Sequence, residues 1–166
     1  MQSRRARIRP SVLSRIRRVR ARLADSTGTS LVEAAFITPL LLLVTFGIVD
    51  FASLFYVHLA LENGVGQATR FGVTGNLVPG LTREESIIAA MRDATPTLTI
   101  QDDMFAFSHM TPGANVWVGG AGGANDIDKV TVNYSWTLMT PLVRSFFDGG
   151  QITLVVESAM KNEPFE

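Results

Sequence analysis

Glu33 is the only ionisable side chain in Leu31–Val49, LVEAAFITPLLLLVTFGIV, and Asp50 follows that run directly. A lone carboxylate among apolar residues calls for a cationic partner, because a bare charge in a low-dielectric setting is costly. Asp50 reads either as a polar stop at an interface or as a pairing group between packed helices. Other groups capable of chemistry are sparse. His58 and His109 are the two histidines, neither has a Cys or another His at ligand spacing, and the chain has no cysteine. Disulfide scaffolds and thiolate-ligated zinc or iron–sulfur centres are therefore excluded. Gly119–Gly123 reads as a flexible loop. It lacks the acid at Ala124 and the repetition that calcium-binding glycine repeats need, leaving Asp126 and Asp128 as a minimal calcium pair. No nucleophile elbow, phosphate loop or H-E-x-x-H is present. Asp102, Asp103 and Glu157 read as solvated surface acids. We expect no enzyme, no metal and no cofactor.

The element that positions Glu33 and Asp50 is the apolar run itself. Its nineteen residues include twelve Leu, Ile, Val or Phe. As a helix it reaches about 28 Å, close to the ~30 Å hydrocarbon thickness of a bilayer. The apolar residues favour insertion by about 4–7 kcal/mol in total, against roughly 3 kcal/mol for one acid near an end. A transmembrane helix follows. Pro39, inside it, removes one backbone hydrogen bond, so a kink or loosened turn is expected there.

Charge sets the orientation. The 166 residues sum to a formal net charge of zero, but residues 1–28 carry nine Arg against Asp25 alone, a net +8. The remainder carries six basic and fourteen acidic groups, a net −8. The positive-inside rule places the Arg-rich leader in the cytoplasm and the rest outside. The leader lacks the interleaved aromatics of a nucleic-acid arm. Leu13, Ile16, Val19 and Leu23 instead suggest a partly amphipathic segment lying on anionic headgroups. No nucleic-acid partner is expected. Ordinary signal-peptide cleavage is disfavoured too, since Asp50 and Phe51 stand where small residues would be needed.

At the junction of leader and apolar run stands Gly28-Thr29-Ser30-Leu31-Val32-Glu33. This resembles the processing site of type IV prepilins. Val32-Glu33 with Phe36, Pro39 before the Leu run, Phe46-Gly47 ahead of Asp50, Tyr56, Leu61-Glu62-Asn63 and Ala68-Thr69-Arg70-Phe71 extend the likeness. Together they resemble the TadE-like family of pilus assembly proteins, minor pseudopilins of the Tad/Flp type IV pilus system. The C-terminal Glu157–Pro164 looks like that family's ending. One departure is Gly64 and Gly66, which fall where the family is Ala-rich and cost a helix about 1 kcal/mol each. The resemblance implies cleavage between Gly28 and Thr29 by a prepilin peptidase on the cytoplasmic side. It also implies that the new Thr29 amine of one subunit pairs with Glu33 of another during assembly. The implied partners are inner-membrane lipid, the peptidase, other Tad pseudopilins and the pilus assembly platform. The protein would sit in the bacterial inner membrane as a single-pass protein with a periplasmic head, and at the cell surface if it enters the pilus. An uncleaved single-pass scaffold of the same machinery is the alternative; an anchored extracytoplasmic enzyme or binding domain is the third reading.

Three regions result: a basic leader, 1–28; a transmembrane and amphipathic helix, 29–75; and an extracytoplasmic head, 76–166. The fold expected is α+β and pilin-like, one long N-terminal helix packed on a small antiparallel sheet. Beyond the membrane, Ser53, Tyr56, Ala60, Asn63, Gln67 and Arg70 form a mostly polar stripe. Leu54, His58, Leu61, Val65 and Ala68 form a more apolar one. Thr82 and Glu85 read as a capping box opening a helix over 84–94, stopped by Pro96. Strands are expected at 97–101, 105–108, 116–118, 129–139 and 152–160. The alternation of Val130, Val132, Tyr134, Trp136 and Leu138 with polar residues makes the fourth the clearest.

Overall fold

The computed structural model describes residues 26–165; the leader's proposed place on lipid headgroups falls outside them. The described chain is α+β. Its order is α1 (Ser26–Val73), α2 (Arg83–Ala94), β1 (Phe105–Met110), β2 (Val118–Gly119), β3 (Ile127–Thr137), α3 (Pro141–Arg144) and β4 (Gln151–Lys161). It divides after Val44 into two units, and α1 contributes to both.

In the first unit, α1 continues through Pro39 as one helix. Every residue from Gly28 to Leu42 is exposed, large apolar side chains included, with Phe36 79% accessible. Among the described residues α1 is the one helix long and apolar enough to cross a membrane.

In the second unit, the same helix turns a different face inward. Val57, Leu61, Val65 and Ala68, spaced by four, four and three, are buried, and Leu61 is 0% exposed. The expected polar stripe stays outward at Tyr56, Asn63, Gln67 and Arg70. Ile87 and Met91 of α2, Ile100, Val130 and Val132 of β3 and Val156 of β4 complete the core. Gly64 has a packing reason. A methyl there would stand 2.5 Å from Thr95 Cγ2, so the missing side chain is what lets α2's end approach α1.

The sheet runs β2-β1-β3-β4, antiparallel throughout. Phe105 pairs with Val132 and Met110 with Ile127; Ile127 pairs with Lys161 and Thr137 with Gln151. The capping box is present: Thr82 Oγ1 accepts from Glu85 N, and Glu85 Oε2 accepts from Thr82 N at 2.7 Å. Hydrogen bonding from the Thr82 backbone N–H, and to a lesser extent from the Thr82 side chain, holds the Glu85 carboxyl below its ordinary range.

Residues 97–101 correct the sequence reading, for they form no strand. Pro96 precedes them, Ile100 plugs the core as a single side chain, and its carbonyl is taken by Arg92 Nε at 3.0 Å rather than by a ladder. The strand expected at 116–118 shrinks to Val118–Gly119. The other three are found: β1 and β4 run one to two residues past their expected ends, whereas β3 begins two residues early and stops two short, at Thr137, leaving Leu138 and Met139 in the turn that follows.

Candidate functional site

The residues singled out by sequence fall into two places. Gly28, Thr29 and Glu33 lie on the exposed N-terminal stretch of α1. A side chain at Gly28 would meet no described atom within 4 Å, so nothing in the fold demands glycine there. Glu33 is exposed on the same stretch, one of a series of outward side chains that includes Leu31, Val32, Phe36 and Ile37.

Asp50 is different. It is 0% exposed, and both side-chain oxygens accept bonds from its own chain. Oδ1 accepts from Met139 N at 2.8 Å and from Thr140 N at 3.3 Å, while Oδ2 accepts from Thr140 N at 3.2 Å. Those amides stand just before α3, where a turning chain would otherwise leave its donors bare. Asp50 thus pins the β3–β4 connection to the helix. Sequence alone marked Asp50 as special by its place at the end of the apolar run, but its partners are backbone amides about ninety positions away. No side-chain pattern announces them.

The glycine-rich segment is hydrogen-bonded to the elements around it. Gly120 N donates to Phe107 O, Ala121 N to Glu84 Oε1, Gly122 N to Asp128 Oδ1 and Gly123 N to Asp126 Oδ2. At Gly122 a side chain would run into Asp128, His109 and Asp126. Asp128's other oxygen accepts from Arg83 Nη2 at 3.0 Å. That same nitrogen donates to Gly72 O at 2.9 Å, and the guanidinium lies 4.5 Å over the Phe165 ring. The carboxyls weighed as a calcium pair therefore serve as backbone and guanidinium acceptors. Arg83 fastens the end of α1, the start of α2, β3 and the C-terminal residues together, a role the sequence did not signal. Among the described residues no group of three or more His, Cys, Asp or Glu is placed to hold a metal.

His58 Nε2 faces Glu62 Oε1 at 3.3 Å one turn along α1. His109 Nδ1 lies 2.9 Å from the Gly120 carbonyl, which only accepts, so that nitrogen carries the proton.

What the geometry presents is an exposed apolar helical stretch with one acid, and a head whose own helical part holds a buried acid. The family model of TadE-like protein matches residues 28–70. The TadE-like match starts at Gly28 and ends three residues before α1 does, so it covers the helix and none of the sheet. The TadE-like family is a structural and assembly family associated with Tad pili. No curated protein and no solved structure matches the chain.

Proposed function

We propose that this chain is a minor pseudopilin of a Tad-type pilus, anchored in the bacterial inner membrane by residues 31–49. Its Arg-rich leader lies in the cytoplasm and its head in the periplasm. A prepilin peptidase removes the leader after Gly28. The freed Thr29 amine of one subunit then pairs with Glu33 of its neighbour, relieving the charge of an acid at the membrane edge. Work is done by helix packing, with no catalytic step.

One observation carries the reading. A glycine, a glutamate five residues on and an apolar helical stretch exposed from Gly28 to Leu42 coincide with the start of the TadE-like match. The lack of any packing demand at Gly28 supports a role for that glycine outside the fold. One observation favours the uncleaved scaffold: α1 starts at Ser26, so Gly28–Thr29 lies within helix and must unwind to enter a protease cleft.

N-terminal sequencing of the chain expressed with and without a prepilin peptidase separates the two. Processing predicts Thr29 as the first residue only when the peptidase is present, and Gly28→Leu should abolish that product. A chain that keeps Met1 beside active peptidase contradicts processing and supports the scaffold. Glu33→Ala should still insert but fail to join the pilus assembly; normal assembly would end the pairing scheme.

A further inference from the structure

The sheet has a fixed direction along α1. At one end, Glu163 N donates to Val73 O at 3.0 Å and Asn162 N to Asp126 O at 2.7 Å, beside the Ile127–Lys161 pair. At the other, Asp50 holds Met139 and Thr140, just past the Thr137–Gln151 pair. From Asp50 to Val73 the helix measures about 35 Å, and the eleven residues of β3 span nearly the same length. The turn between β3 and β4 therefore closes the end of the head that holds Asp50, the residue that follows Val49.

That turn, Leu138-Met139-Thr140-Pro141-Leu142-Val143-Arg144-Ser145-Phe146-Phe147-Asp148-Gly149-Gly150, has one cation and one anion. Met139, Leu142 and Phe146 are 62%, 48% and 70% exposed. They are held out by a stiff backbone. Leu138 N donates to Gly150 O at 3.1 Å, and Arg144 Nε and Nη2 donate to Leu138 O at 3.2 and 2.7 Å. A cluster of large apolar side chains held outward on one short turn marks a contact surface rather than scattered surface residues.

We infer that residues 139–147 dip into the outer interfacial layer of the bilayer that α1 crosses, giving the head a second, shallow lipid contact. The inference rests on the spanning reading proposed above. Lipid is the occupant because the turn is bonded to the residue directly after the apolar run, so it stands where that run leaves the hydrocarbon. Leu, Met and Phe on a short amphipathic turn suit that depth. The contact would fix the head's tilt and its height above the membrane.

The absence of cysteine makes the test clean, since any introduced thiol is unique. The full chain carrying Val44→Cys, Phe146→Cys or Ala114→Cys is labelled with an environment-sensitive dye. It is then reconstituted in phosphatidylethanolamine–phosphatidylglycerol vesicles. All three positions are exposed, so folding is not at issue. Nitroxide lipids bearing the spin near the headgroup should quench the Phe146 label at least about threefold more than the Ala114 label, with aqueous iodide giving the reverse order. A Phe146 label that behaves like Ala114 while Val44 reports lipid overturns the inference and leaves the span intact. A Val44 label open to iodide overturns the span and the inference with it. Protection of Phe146 seen only at high protein density assigns the face to a second copy and also overturns lipid.

Discussion

Helix α1 meets two different surroundings along its sequence. Over residues 31–49 nearly all of its large apolar side chains are exposed; over 57–68 Val57, Leu61, Val65 and Ala68 form a buried stripe while Leu59 stays outward. Within this chain the first stretch is left exposed, and it calls for surroundings that do not penalise exposed Leu and Phe. The second needs a fitted one, with Gly64 giving way to Thr95 and Leu61 enclosed by the core. Asp50 stands between them and belongs to the second regime, because its bonds go to the head. Apolar composition alone does not distinguish these stretches. Which faces carry it does.

The comparison breaks most visibly if both stretches are truncated. Leu61→Ala should cost the head about 2–5 kcal/mol in denaturant unfolding in detergent, whereas Leu40→Ala should leave head unfolding unchanged. Equal losses would mean that the two stretches share one kind of environment. Next in size is Asp50→Ala, which strips the acceptor from two amides and should cost roughly 2–3 kcal/mol in the same assay. Asp50→Asn keeps one acceptor and should recover part of it. Glu33→Ala should do nothing to head unfolding, which separates the two acids by role.

The glycines sharpen the contrast further. Gly64→Ala forces a methyl against Thr95 and should destabilise the head by about 1–3 kcal/mol. Gly66→Ala, with nothing within 4 Å, should stabilise it by up to about 1 kcal/mol through helix propensity. Thermal unfolding of the two variants should therefore move in opposite directions.

The smallest effect is at α2's cap. Glu85 has its carboxyl lowered by the Thr82 bonds, so its contribution is complete above the ordinary carboxyl value of 4.5 and is lost as pH falls through the lowered folded value. Acid melts of the wild type and Glu85→Gln should converge below that range. A Glu85 contribution that persists at lower pH would contradict the cap.

Much of this was legible in the residues. The capping box rests on two side chains three positions apart, and β3 announced itself by strict alternation from Val130 to Trp136. Both signals are local, so a single chain displays them. Residues 97–101 misled because β-branched Thr and Ile have strand propensity, which a proline and a side-chain bond to Ile100 O override. Gly64 looked like a helix defect because its reason, Thr95, lies thirty-one positions away. The glycine run looked loose because its acceptors come from Glu84, Asp126, Asp128 and Phe107. Of the candidate site, the apolar run was readable from order alone, while Asp50's grip on the β3–β4 turn depended on the folded chain.

Labelling of Val44→Cys and Ala114→Cys with a membrane-impermeant maleimide in intact spheroplasts tests the division directly. Ala114 should react from outside, and Val44 should react neither there nor in inside-out vesicles. A Val44 thiol modified as readily as Ala114, or an Ala114 thiol reached only after lysis, would contradict a lipid-embedded first stretch carrying an external head.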